Sequence, residues 1–125
     1  MEKFYQCGSH DTPEVLFDGQ KGMLFMGGSS LPENVLEVFN PILQWVNDYK
    51  NQVQNTTQVE FNFEYLNTSS TKMVSKLIES LQELKQKGNI QITWYYASGD
   101  RDMKELGTDL LEETSCSFRI IELAA

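Results

Sequence analysis

Apolar residues recur along this chain in two rhythms, and the order in which the rhythms alternate lays out a fold. Glu14 to Phe17 and Met23 to Met26 are short apolar runs flanking Asp18-Gly19-Gln20-Lys21-Gly22, whose two glycines suit a tight turn. The segment therefore reads as an antiparallel hairpin. After Gly27-Gly28-Ser29, the stretch Ser30-Leu31-Pro32-Glu33 matches a capping box, with Ser30 as N-cap, Pro32 in the first turn and Glu33 reaching back. Val35, Val38, Phe39, Ile42, Leu43, Val46 and Tyr49 follow at helical spacing and predict one apolar stripe lying on a sheet. Pro41 interrupts that helix, and the missing amide predicts a kink near Glu37.

Asn51 to Thr57 is polar and aperiodic, a returning loop. Val59, Phe61, Phe63 and Tyr65 then alternate with Glu60, Asn62 and Glu64, the period of a strand with one face on a core. Met73, Val74, Leu77, Ile78, Leu81 and Leu84 mark a second helix, closed by Lys85, Lys87 and Gly88 in keeping with dipole and C-cap preferences. Ile90, Ile92, Trp94 and Tyr96 alternate as a further strand, Met103 to Glu112 forms a third helix, and Phe118 to Leu123 a last strand. The predicted class is α/β: one domain over residues 1–125, an N-terminal hairpin followed by β-α-β units, and a mixed central sheet of about five strands with helices packed on it. Residues 1–11 are expected to be a loose N-terminal segment.

Strand-helix-strand crossovers are right-handed and join parallel strands. On that topology Gly27–Leu31, Asn67–Ser70 and Ala97–Arg101 leave the sheet at the same carboxyl edge, where open α/β sheets meet ligands and partners. Glu64 to Ser70 then stands out, because Thr68, Ser69 and Ser70 place three hydroxyls where a strand gives way to a helix. The residues alone allow two readings. Ser, Thr and Asn are the preferred N-caps; equally, unpaired amides and the macrodipole at a helix start suit an anion, so a phosphate carried by one of these hydroxyls would be well placed.

Charge narrows the partners. Eighteen Asp and Glu against ten Lys and Arg give a net charge of −8 in 125 residues, which disfavours nucleic-acid backbones and anionic membrane surfaces. No segment approaches the roughly twenty consecutive apolar residues of a spanning helix, and Met1 to Gly8 lacks the regions of a signal peptide, so a cytoplasmic protein is expected. Cys7 and Cys116 are far apart, outside any CxxC pair, and are expected to be thiols in a reducing compartment. His10 is the single histidine, so a multi-histidine metal site cannot be built. Cys7, His10 and Asp11 could form a ligand or nucleophile cluster, but they lie in the terminal stretch.

Two other function classes have weaker footing in these residues. An enzyme using Thr68, Ser69 or Ser70 as nucleophile needs a base and an orienting group, and only His10 with Asp11, or Lys72, could be offered. A small anion or nucleotide sensor could use Gly27-Gly28-Ser29-Ser30 as a cradle, yet the spacing fits neither GxGxxG nor a P-loop. Trp45, Trp94, Tyr95 and Tyr96 sit at alternating or helical positions, which suits core better than a base-stacking platform.

Ser30-Leu31-Pro32-Glu33-Asn34, Trp45-Val46 and Tyr65-Leu66-Asn67-Thr68-Ser69-Ser70 together resemble the SiaC-type regulatory phosphoproteins, over a span from about Thr12 to Leu123. That family resembles STAS domains, the class that contains anti-sigma-factor antagonists. The resemblance implies a STAS-like domain that is not an enzyme and needs no cofactor or metal. It implies a partner switch: Thr68 is the phospho-acceptor, Asn67, Ser69 and Ser70 complete its motif, a cognate kinase adds the phosphate and a PP2C-type phosphatase removes it. The unmodified form binds the target, a diguanylate cyclase in cyclic-di-GMP and biofilm signalling. Gly28, Ser29, Ser30, Leu31, Pro32, Glu33 and Asn34 map to a second motif, with capping and partner contact as the implied roles. Pro41 and the Cys7-Gly8-Ser9-His10 head depart from the family pattern.

Overall fold

In the computed structural model, which describes residues 1–124, the chain forms one six-stranded sheet covered by three helices. The elements are β1 (Phe4–Gln6), β2 (Glu14–Asp18), β3 (Met23–Ser30), α1 (Val35–Tyr49), β4 (Thr56–Leu66), α2 (Thr68–Glu83), β5 (Asn89–Tyr96), α3 (Arg101–Leu111) and β6 (Ser117–Glu122). The strands lie in chain order across the sheet. β1, β2 and β3 pair antiparallel, while β3, β4, β5 and β6 pair parallel, each parallel step crossing through a helix. Three crossovers of one hand stepping the same way put all the helices on one face. Burial follows: Val15, Leu24, Met26, Val59, Phe61, Phe63, Ile92 and Trp94 are closed over by Phe39, Ile42, Val46, Val74, Leu77 and Leu81 from the helices.

The sixth strand is a correction. β1 lies inside the segment expected to be loose, and three contacts dock it: the Trp45 indole donates to the Glu2 carbonyl at 3.0 Å, Lys3 bridges Asp18 at 3.7 Å, and Phe4 packs on Phe17. The loop after it is closed by its own hydroxyls, with Ser9 Oγ and Thr12 Oγ1 2.6 Å apart. The hairpin is as expected, and Asp18 organises its turn by accepting the Gln20 and Lys21 amides. Gly22 turns at φ +65°, where a side chain would meet the Thr56 carbonyl.

The capping box at Ser30 is also corrected. β3 does not end at Met26 but stays paired with β4 as far as Ser30↔Leu66, so Ser30 is a strand residue and Leu31, Pro32 and Glu33 form the loop. α1 is capped instead by Asn34, whose side chain accepts the Glu37 amide at 3.2 Å. Pro41 faces solvent and the helix continues through it to Tyr49, because a carbonyl bared on the wet side still has water to bond. α2 stops at Glu83 and tightens into a 3₁₀ turn over Leu84–Gln86, and Gly88 lets the chain pass the Gln54 carbonyl at a distance no side chain would allow. At the far side Gly107 does the same for α3, which lies on the Trp94 ring while Trp94 donates its indole N–H to the Met103 carbonyl at 3.1 Å.

Candidate functional site

The parallel strands bring Ser30, Leu66 and Tyr96 out at one edge, so the starts of α1, α2 and α3 are neighbours there. The junction between β4 and α2 is a single residue. Asn67 keeps an extended backbone at φ −75°, ψ 174° and caps the helix by accepting the Ser70 amide at 2.9 Å. Its carbonyl takes the Thr71 amide and hydroxyl, and its own amide donates to the Ser30 carbonyl. Asn67 therefore ties the tip of β3 to the first turn of α2.

That backbone gives the three hydroxyls different fates. Ser70 is fully buried, and its Oγ lies 2.8 Å from the Oγ of Ser30, itself fully buried. Ser69 is exposed and donates to the capping oxygen of Asn67 at 3.2 Å. Thr68 is the first residue of the helix, is exposed, and its hydroxyl takes part in no hydrogen bond among the described residues. Of the three, Thr68 is the one a modifying enzyme could reach without breaking an existing bond.

A bulge immediately upstream sets this arrangement. Gly28 pairs with Phe63 and Ser29 with Tyr65, which leaves Glu64 as an extra residue of β4, and Gly28 takes φ +83° opposite it. The inserted residue shifts the pleat by one, so Tyr65, expected inside on alternation, is 52% exposed while Leu66 is buried. No periodicity in the sequence signals that shift.

The remaining sequence candidates separate cleanly. Ser29 is half-buried in β3, and Leu31, Glu33 and Asn34 are exposed around the loop, with Pro32 half-buried. Gly27 and Gly28 do not form an open cradle: a side chain at Gly27 would collide with the Asn62 carbonyl, and Ser30 is engaged with Ser70. His10 and Asp11 pair at 4.0 Å on the surface, and the Asp11 carbonyl accepts the Leu31 amide, so this loop braces the β3 tip. Trp45, Trp94 and Tyr96 are core, and Tyr95 lies on the helix-free face of the sheet, where it donates to Glu60 at 2.9 Å. That bond, followed by partial burial, raises the phenol above its ordinary 10.0. Cys7 is exposed and Cys116 buried, both as free thiols. Among the described residues no group of His, Cys, Asp and Glu is arranged to hold a metal, and no helix is long and apolar enough to cross a membrane.

The profile of the SiaC family of regulatory phosphoproteins matches residues 7–123. The chain belongs to the SiaC family. A relative from Pseudomonas aeruginosa strain UCBPP-PA14 is 32% identical over 121 residues, 96% of each chain. The crystal structure of apo-SiaC from Pseudomonas aeruginosa superposes with a TM-score of 0.86 at 31% identity, covering 96% of this chain and 98% of that one. SiaC in complex with the diguanylate cyclase SiaD, for which it is the activator, superposes at 0.89 with 30% identity, covering 96% and 99%. The mixed α/β architecture is thus that of SiaC, and the family's role is regulatory.

Proposed function

We propose that this SiaC-family chain is the non-enzymatic, phosphorylation-controlled arm of a bacterial partner switch, with Thr68 as its acceptor and a diguanylate cyclase as its target. The carrying observation is that, among the described residues, Thr68 alone of the three motif hydroxyls is both exposed and unbonded, at the start of a long helix. A cognate protein kinase charges it and a PP2C-type phosphatase resets it, in the cytoplasm. The unmodified form binds and activates the cyclase, as the activator SiaC of Pseudomonas aeruginosa does for SiaD. Gly28 to Asn34, which lie at the same edge, belong to the contact.

The physics of the switch needs no refolding. Phosphothreonine carries about −1.5 to −2 charge at neutral pH, and at an exposed helix start the fold tolerates it. A target packed on this edge would have to strip water from that dianion, and an unpaired charge dried at an interface costs several kcal/mol. A loss of about 3 kcal/mol already weakens binding more than a hundredfold.

The test is an affinity capture from the native cell with wild type, Thr68→Ala and Thr68→Glu, followed by titration of the phosphorylated and unphosphorylated forms against the captured enzyme. Thr68→Ala is expected to retain a diguanylate cyclase and Thr68→Glu to lose it. Equal recovery by all three, or equal affinities of the two forms, overturns the proposal.

A further inference from the structure

The three helices close over one face of the sheet and leave the opposite face bare across six strands. Sheets rich in parallel strands are ordinarily covered on both faces. Alternation sends Val15, Phe17, Leu24 and Met26 into the core, so Leu16, Met23 and Phe25 point away from it onto the bare face. The register makes them one patch. Tyr5, Leu16 and Phe25 are direct cross-strand neighbours over β1, β2 and β3, and Met23 is the diagonal neighbour of Leu16. Tyr5 is 62% exposed, Met23 51% and Leu16 44%. Leu16, Met23 and Phe25 floor a shallow hollow of about 410 Å³ between Lys21 and Glu60. The rest of the face is polar and bonded within itself, Tyr95 donating to Glu60 at 2.9 Å and Gln58 to Gln91 at 2.8 Å, so it can be covered without stranding these groups.

Charge says what covers it. This face carries Lys3, Lys21 and Arg119 against Glu14, Asp18, Glu60 and Glu64, a net of −1 on a chain of −8, so two copies repel least when they meet here. The signs are also separated along the strands. Lys3 and Lys21 lie at the end of the β2–β3 turn, Glu14 and Glu64 at the other end, and Lys21, Glu14 and Glu64 are in no ion pair among the described residues. We infer that a second copy of this chain covers the face, the two sheets packed about a two-fold axis that crosses the strands at the Leu16–Phe25 row. Such an axis lays the apolar row on its own image and brings the lysine end of each copy over the glutamate end of the other, the self-complementarity of an isologous contact. Strands about 4.8 Å apart and about 3.3 Å per residue give the six-stranded face roughly 650 Å² in flat projection, close to the ~800 Å² per partner of a specific interface. Thr68, at the start of α2, stays outside the contact, and the two carboxyl edges come to opposite ends of the pair. The dimer therefore presents two such edges at once, whether or not Thr68 is a switch.

Sedimentation velocity of the full chain over a dilution series tests this. Wild type is expected to dimerise reversibly in the micromolar range, and Leu16→Glu, which sets two carboxylates against each other on the axis, to weaken the dimer at least about tenfold while keeping its thermal midpoint. Lys21→Glu and Glu14→Lys should each weaken it severalfold. The double exchange Glu14→Lys/Lys21→Glu should restore it, because the two ends of the face swap sign together. Amide resonances that move on dilution should belong to β2 and β3 and not to the helices. A wild type that stays monomeric up to about 1 mM overturns the inference. So does a dimer indifferent to Leu16→Glu, a double exchange no tighter than either single one, or resonance changes confined to the helices.

Discussion

Thr68, Ser69 and Ser70 offer nearly the same chemistry, and the backbone around Asn67 assigns each a separate task. The Thr68 hydroxyl takes part in no hydrogen bond among the described residues, so Thr68→Ala is expected to change stability by less than about 0.5 kcal/mol. Asn67→Ala removes the cap that holds the Ser70 amide and should cost about 0.5–2 kcal/mol. Ser70→Ala leaves the Ser30 hydroxyl fully buried without its partner, a loss of about 1–3 kcal/mol. Chemical denaturation of the three variants should return them in that order at the extremes, Thr68→Ala mildest, and a Thr68→Ala variant weaker than Ser70→Ala would mean that the two hydroxyls have exchanged roles. The motif itself was legible in the sequence. Which hydroxyl stays free was not, because Ser70 is silenced by Ser30, forty positions away, and no local pattern reports such a contact.

At the scale of elements, the two apolar rhythms placed the hairpin, all three helices and every parallel strand close to where they stand. They failed where a local choice overrode the rhythm. Ser30 fits a capping box, but ladder pairing with β4 holds its backbone and Asn34 takes over the cap. β1 is three residues long and polar at its flanks, too short to show a period, and its docking depends on Trp45 and Phe17 far along the chain. Helix packing gives a sharp contrast to measure. Leu81 is almost fully buried on α2, so Leu81→Ala should cost about 2–5 kcal/mol through lost burial and a residual cavity. Gly107→Ala raises helix propensity yet is expected to destabilise by about 1–3 kcal/mol, because the new methyl would lie 2.3 Å from the Trp94 indole nitrogen. A Gly107→Ala protein as stable as wild type in a denaturant titration would show that α3 can slide off that ring.

For the molecule as a whole, the helices cover only one face of the sheet, and the outer edges are β1 and β6. β1 therefore acts as a guard for the longer β2. Removal of residues 1–6 would strip the Trp45–Glu2 bond, the Lys3–Asp18 bridge and the Phe4–Phe17 contact together. A stability loss on the order of 1–3 kcal/mol is expected, with concentration-dependent association as the bared β2 edge finds other strands. Light scattering across a dilution series checks this, and a truncated protein that stays monomeric at high concentration would show the guard to be dispensable.

The bulge at Glu64 has a consequence that reaches beyond local geometry. It works as a frame shift in a code with two letters, inward and outward. Before it the odd-numbered residues of β4 belong to the core, and after it the even-numbered Leu66 does. The outward Tyr65 and the reach of the chain into α2 are consequently set by the presence of one uncounted residue rather than by the character of its side chain. A carboxylate at position 64 can be exchanged for almost any other exposed residue without moving Thr68, whereas its deletion would put every residue that follows out of step with the edge they now form.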